Sequence, residues 1–116
     1  MLRQMMKSKI HKANITDAKL NYNGSIGIDK NILKKADILQ YEKVHVLNYN
    51  TGVRFETYAI EEKAGSGSIC LYGPAAKMGK KGQDICILTY AAITDKEAKS
   101  LKPKVVRLDN KNRLKG

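Results

Sequence analysis

Along most of this chain, apolar and polar residues alternate in short runs that glycine and turn-forming residues cut apart, a pattern that favours brief strands over long helices. The first run, Leu2–Thr16, sets Ile10 among alternating polar neighbours and predicts a long opening strand, followed by the turn residues Tyr22, Asn23, Gly24 and Ser25. Asp29 then stands at an N-cap position with Ile32, Leu33 and Ala36 on one helical face behind it, so a short helix is expected over Asp29–Ala36. Lys43–Asn48 and Arg54–Glu61 read as the two strands of a hairpin joined through Tyr49, Asn50, Thr51 and Gly52. Ser68–Tyr72 reads as a strand stopped by Gly73 and Pro74, Pro74–Met78 as one helical turn, and Gln83–Ile93 as a mostly apolar, buried strand. Thr94 and Glu97 have capping-box spacing for a brief helix through Ser100, which Pro103 keeps from continuing, and Lys104–Leu108 returns as a strand. Asp109–Gly116 is polar with nothing to bury, so a flexible tail is expected there.

No repeat or low-complexity linker divides the sequence, and 116 residues suit one domain, 1–116. Several short strands and at most three short helices in so small a unit point to a closed or nearly closed barrel, because closure removes exposed strand edges.

Composition changes this picture in one respect. Hydrophobic content of 42% with 28% charged residues is ordinary for a globular chain, and no apolar run approaches the roughly 20 residues of a membrane-spanning helix. Met1–Ile10 lacks the apolar stretch and small-residue cleavage site of a secretory signal, so a soluble, cytoplasmic protein is expected. Cys70 and Cys86 sit in apolar stretches without a CxxC neighbour and read as reduced core residues; with only His11 and His45 beside them, no metal site is expected. The anomaly is a formal charge of +11, with 22 Lys and Arg against 11 Asp and Glu. It fits a small basic β-barrel that binds nucleic acid, or lysines spread over solvated faces with one anionic substrate drawn to its site. The scatter of lysines from Lys7 to Lys115 and an aromatic content of only 6% favour the second reading, since no stacking platform is evident.

The sequence holds no nucleophile elbow, P-loop, dinucleotide fingerprint or metal-spaced histidines. An enzyme of this size then needs a bound cofactor or an electrophile made from its own chain, because side chains supply nucleophiles but no good electron sink. Over nearly its whole length the sequence resembles the aspartate 1-decarboxylase family. The matching residues are Lys9–His11 (KIH), Leu20–Asp29 (LNYNGSIGID), Asn50–Ile60 (NTGVRFETYAI), Tyr72–Lys77 (YGPAAK), Gly82–Leu88 (GQDICIL) and Lys102–Pro103.

That resemblance implies a mainly β fold, a six-stranded double-psi β-barrel with short helices, assembled as a homotetramer with active sites between neighbouring subunits. It implies a pyruvoyl-dependent lyase that is made as a zymogen, decarboxylates L-aspartate to β-alanine and CO2, and supplies pantothenate and coenzyme A synthesis. Autocatalytic cleavage between Gly24 and Ser25 would leave residues 1–24 as one chain and 25–116 as the other. Glycine lets the backbone take the conformation in which the Ser25 hydroxyl meets the Gly24 carbonyl carbon. Attack turns the amide into an ester, elimination leaves dehydroalanine, and hydrolysis releases ammonia and yields the pyruvoyl group. Its ketone would hold the substrate amine as a Schiff base.

Among the other residues the resemblance places Tyr58 as the proton donor to carbon, and tyrosine as a residue type stays protonated at neutral pH. Lys9 and Arg54 would bind the substrate carboxylates, Arg54 bidentately. By strand alternation Lys9 and His11 share one side of a strand, and Arg54 and Tyr58 one side of another. Thr57 is a substrate contact in the family although alternation turns it away from Tyr58, and Gly73, Pro74 and Ala75 correspond to a substrate-binding turn. His11, Tyr22 and Tyr72 are supporting candidates. Tyr72 stands where many relatives have asparagine, so amide hydrogen bonds there do not carry over, and Pro74 replaces a commoner alanine and removes one backbone donor. The sequence leaves open whether a maturation factor promotes cleavage.

Overall fold

The structure is a computed structural model and describes residues 1–115. Its elements are mainly β: strands β1 (Leu2–Asn14), β2 (Asp17–Lys19), β3 (Ser25–Asp29), β4 (Lys43–Asn48), β5 (Arg54–Glu62), β6 (Ile69–Tyr72), β7 (Asp84–Thr94) and β8 (Lys104–Arg107). Helix α1 (Lys30–Ala36) follows β3, a short 3-10 helix (Gly73–Lys77) follows β6, and α2 (Asp95–Ser100) follows β7. The eight strands form one sheet in the order β2-β6-β3-β5-β4-β7-β1-β8.

That order bends the sheet. β1 and β2 are separated only by Ile15 and Thr16, yet they lie next to last and first in the strand order. The sheet therefore has to curl until its two ends nearly meet. The Ile15 N–H donates to the Gln83 carbonyl at 2.9 Å and the Thr16 N–H to the Ile69 carbonyl at 2.8 Å, so this two-residue link is stitched to the start of β7 and to β6. Inside the curl, Ile10, Ile26, Val44, Val46, Ile85 and Ile87 are fully buried and form one cluster. Each lies in a ladder position whose neighbours on the same strand face outward, the period of two that a half-buried strand requires.

The expected hairpin is present, with β4 and β5 antiparallel and in register from Lys43 opposite Tyr58 to Leu47 opposite Arg54. Asp29 caps α1 as its spacing indicated, and Thr94 and Glu97 form the capping box of α2. Three expectations need correction. The opening strand does not run to Thr16: it stops at Asn14, after a bulge at which Lys12 takes φ +54°, and the chain crosses to the other end of the sheet. The segment after Gly24 is not only a turn, since Ser25 begins β3, which is buried along its whole length between β5 and β6. Finally, residues 109–116 do bury something. Asn112 is 2% exposed, its side-chain amide donates to the carbonyls of Asn14 and Gly67, and Leu108 pairs with Leu114; Gly116 lies outside the described residues.

Candidate active site

β3 has β6 on one side and β5 on the other, and this fixes the neighbours of Ser25. In the antiparallel ladder Ser25 faces Tyr72. In the parallel ladder Ile26 faces Ala59, which puts Ser25 beside Tyr58. Exposure falls sharply here: Asn23 is exposed, Gly24 half-buried and Ser25 3% exposed, with its hydroxyl donating to the Asn23 carbonyl at 3.4 Å.

The loop that carries Gly24 rests directly on the 3-10 helix. Gly73 has φ +63°, and a Cβ built there would lie 2.5 Å from the Tyr22 carbonyl oxygen and 2.8 Å from the Gly24 nitrogen. Only glycine combines this conformation with that approach. A Cβ on Gly24 would stand 3.2 Å from Pro74 Cδ, so the proline ring closes over the cleavage position from the other side.

Two cavities flank the Gly24–Ser25 bond. One, of about 370 Å³, is lined by Tyr22, Asn23, Ser25, Tyr58, Ile60 and Tyr72. The other, of about 260 Å³, is lined by Gly24, Phe55, Glu56, Thr57, Tyr58, Pro74, Ala75 and Met78. Tyr58 belongs to both, so the expected proton donor stands at the wall between them. Thr57, on the opposite side of its strand from Tyr58, still lines the second cavity, because the turn at Pro74 and Ala75 reaches round the edge of β5. Two aromatic rings bound the first cavity: Tyr22 and Tyr72 lie 5.5 Å apart, centroid to centroid. The Tyr72 hydroxyl donates to Glu62 Oε1 at 2.7 Å, and burial, with Cys70 and Glu62 beside it, holds the phenol far above its ordinary range.

Lys9, His11 and Arg54 line neither cavity. They gather elsewhere on the same outward face of the sheet, around Cys86. Lys9 pairs with Leu88, Arg54 pairs with Leu47, Leu47 in turn pairs with Cys86, and the charges of Lys9 and Arg54 both act on the Cys86 thiol. Burial nevertheless pushes that thiol above its usual value. The pairing of β1 with β8 runs unbroken from Ser8 to His11, so Lys9 and His11 share one side as alternation requires. His11 Nδ1 lies 3.2 Å from the Tyr49 hydroxyl; burial, and then the nearby cations Arg107, Lys9, Lys12 and Lys115, lower the imidazole below its ordinary 6.5. Arg54 Nη2 donates to the Tyr90 hydroxyl at 3.4 Å.

The gap between the two groups is set by strand geometry. β1 lies four strands from β3, roughly 19 Å around the sheet, and Arg54 lies four residues along β5 from Tyr58, roughly 13 Å. No lysine or arginine side chain spans either distance, so within one chain these cations do not reach Ser25. Asn23, Ile60, Glu62, Tyr49, Cys86 and Tyr90 belong to the two groups without having been singled out in the sequence. Ile60 and Glu62 were accessible through alternation from Tyr58; the others come from strand register, which one sequence does not reveal.

A larger cavity, of about 640 Å³, lies between α1 and β8, lined by Asn31, Lys34, Lys35, Lys104, Val105, Val106 and Leu114, and contains none of the expected site residues. No described helix is long and apolar enough to cross a membrane.

The description of one protein-family model, "Aspartate decarboxylase", matches residues 1–115. The aspartate 1-decarboxylase of Thermoanaerobacter pseudethanolicus is 58% identical over 113 residues, covering 97% of this chain and 97% of that protein. The aspartate 1-decarboxylase of Dehalococcoides mccartyi is 54% identical over 110 residues, 95% of this chain and 89% of its own length. That of Syntrophomonas wolfei is 50% identical over 115 residues, 99% and 98% of the two chains. Matches of this identity and coverage, on a chain whose motif residues surround one buried Gly-Ser bond, show that the protein belongs to the aspartate decarboxylase family and is an enzyme of the carboxy-lyase class.

Proposed function

We infer that this chain removes the α-carboxylate of L-aspartate, giving β-alanine and CO2, with a pyruvoyl group that it makes from Ser25 by cutting itself after Gly24. The observation that carries this reading is the placement of Ser25. It is buried at the floor of a cavity walled by Tyr58, while the preceding glycine is pressed against Gly73 and Pro74. The residues present fit such a group: the cavity is within the usual size range for small-ligand sites and opens directly on the atom that would become the ketone.

In self-cleavage the Ser25 hydroxyl adds to the Gly24 carbonyl carbon and the Ser25 nitrogen leaves as an amine, so the amide becomes an ester. Elimination removes the Ser25 Cα proton and the Gly24 carboxylate, and water then displaces the nitrogen as ammonia. The pyruvoyl group, when present, supplies the electron sink for the departing carboxylate. The chain's own part in turnover is to orient substrate and manage the proton: Tyr58 holds a hydroxyl at the cavity wall as donor to the substrate carbon, and Thr57 with the turn at Gly73, Pro74 and Ala75 bounds the second cavity.

The substrate's two carboxylates need cations, and Lys9, Arg54 and the neighbouring His11 supply them from an adjacent subunit. The separation of these residues from Ser25 within one chain supports a homotetramer with sites between subunits. The curled sheet whose ends meet at Ile15 and Thr16 supports a double-psi barrel as its architecture. In this reading the enzyme is cytoplasmic and feeds β-alanine to pantothenate synthesis, and a maturation factor is one route to efficient cleavage.

Intact mass analysis tests the reading. The expected result is two fragments split after Gly24, the larger adding a carbonyl-trapping reagent, while Ser25→Ala stays whole and forms no β-alanine. Uncut, ketone-free protein that makes β-alanine at the wild-type rate overturns it.

A further inference from the structure

Glu62 is the one acidic side chain that reaches over the wall of the Ser25 cavity, and it reaches it through Tyr72. The Tyr72 hydroxyl donates to Glu62 Oε1 at 2.7 Å, and no lysine or arginine pairs with Glu62 among the described residues. The two side chains meet above Gly27. A Cβ at position 27 would lie 2.8 Å from the Glu62 carboxyl carbon and 2.9 Å from Tyr72 Cε2, so glycine provides the groove in which the contact lies. The Tyr72 ring is thus laid along β3 toward Gly27, with its edge on the cavity and the Tyr22 ring 5.5 Å away. Its neighbour across the ladder is Ser25 itself.

We propose that Glu62 is a positioning residue for substrate binding: its carboxylate fastens the Tyr72 hydroxyl over Gly27, which keeps the Tyr72 ring as a fixed wall of the cavity beside Ser25 and keeps the carboxylate itself turned from an anionic substrate. The assignment rests on the decarboxylase reading above and deepens it. Two consequences separate it from a merely structural role. Removing the hydroxyl leaves the carboxylate unpaired at the edge of a site built for an acidic amino acid, and removing the carboxylate frees the ring to enter the cavity. Either change weakens binding of the ground state more than it slows turnover. An amide at position 62 still accepts the hydroxyl and carries no charge, so it preserves the wall.

The test compares Tyr72→Phe, Glu62→Ala, Glu62→Gln and the double variant Y72F/E62A as full-length, processed proteins, with splitting confirmed by mass. The expected KM for aspartate rises about three- to tenfold in Y72F and in E62A, the range of one lost hydrogen bond, with kcat changed by less than about twofold. E62Q stays near the wild type, and the double variant is no worse than the poorer single variant, because one contact is lost once. A second readout needs no activity: with tyrosine labelled with carbon-13 at Cζ, E62A shifts one resonance of the wild-type spectrum, and the same substitution on the Y72F background shifts none. An unmoved KM in Y72F with an active wild type, additive effects in the double variant, or an unchanged tyrosine spectrum in E62A overturns this assignment alone. A wild type that forms no β-alanine overturns the decarboxylase reading and this assignment with it.

Discussion

At position 73 a single hydrogen in place of a methyl group decides whether the loop of Tyr22–Gly24 can sit against the 3-10 helix. Alanine there would carry two separate costs. The left-handed conformation, φ +63°, disfavours any residue with a Cβ by about 1–2 kcal/mol, and the new methyl would lie 2.5 Å from a backbone oxygen that has no flexible end to yield. Gly52 offers the control, since it has φ +77° but nothing within 4 Å of a built Cβ. Gly52→Ala is therefore expected to lower the urea midpoint by the conformational cost alone. Gly73→Ala is expected to lower it further and also to slow fragment formation after Gly24, because the displaced segment holds the scissile carbonyl. Equal urea midpoints and equal splitting rates in the two variants would show that the close approach matters little. The same residue marks where sequence reading stopped. Gly73 was visible as a strand-ending turn, but its contact with Tyr22 joins segments some 50 positions apart, and glycine alone does not say which backbone it must admit.

Elements with local rules were legible and those defined by distant partners were not. The β4–β5 hairpin and both helix caps declare themselves through alternation, turn residues and capping spacing, all within a few residues of one another. β2 has only three residues and β3 is buried on both faces, so neither shows the period of two by which strands are recognised. Asn112 looked like part of a polar tail because its role lies in hydrogen bonds to Asn14 and Gly67. Asp29 belongs to both kinds. As a cap it accepts from Asn31 N–H at 2.8 Å, and in addition its buried carboxylate accepts from Gly65 N–H at 3.0 Å and Gly67 N–H at 2.8 Å, tying the loop between β5 and β6 to the end of β3. Asp29→Ala is therefore expected to destabilise by about 3 kcal/mol, from one lost cap and two buried donors left unpaired. Thr94→Ala, which removes the exposed cap of α2, should cost only about 1 kcal/mol. Urea unfolding of the two variants checks the contrast, and equal losses would mean that Asp29 acts as a cap and nothing more.

For the whole molecule, the decisive feature is that one outward sheet face carries two half-sites too far apart to meet. Ser25, Tyr58, Tyr72 and the Gly73 turn occupy one region, and Lys9, His11, Arg54, Tyr49 and Cys86 another. Alternation placed Arg54 and Tyr58 on one side of a strand, which was correct, yet sharing a side does not bring residues together when four residues of rise separate them. A second copy of the chain resolves the separation if its Lys9 and Arg54 region faces the first copy's Ser25. This arrangement has a consequence that a site within one chain lacks. Ser25→Ala destroys one half-site and Arg54→Ala the other, so each variant assembled alone is inactive. When equal amounts are unfolded and reassembled together, a site is complete only where an Arg54→Ala chain contributes Ser25 and a Ser25→Ala chain contributes Arg54. Random pairing makes that about one site in four, so the mixture should recover on the order of a quarter of wild-type activity. Splitting after Gly24 should occur in the Arg54→Ala chains and not in their partners, which mass analysis of the same mixture reads directly. A mixture as inactive as its components, with the Arg54→Ala chains fully split, would place the whole site within one chain and require Lys9 and Arg54 to act on something other than the substrate beside Ser25.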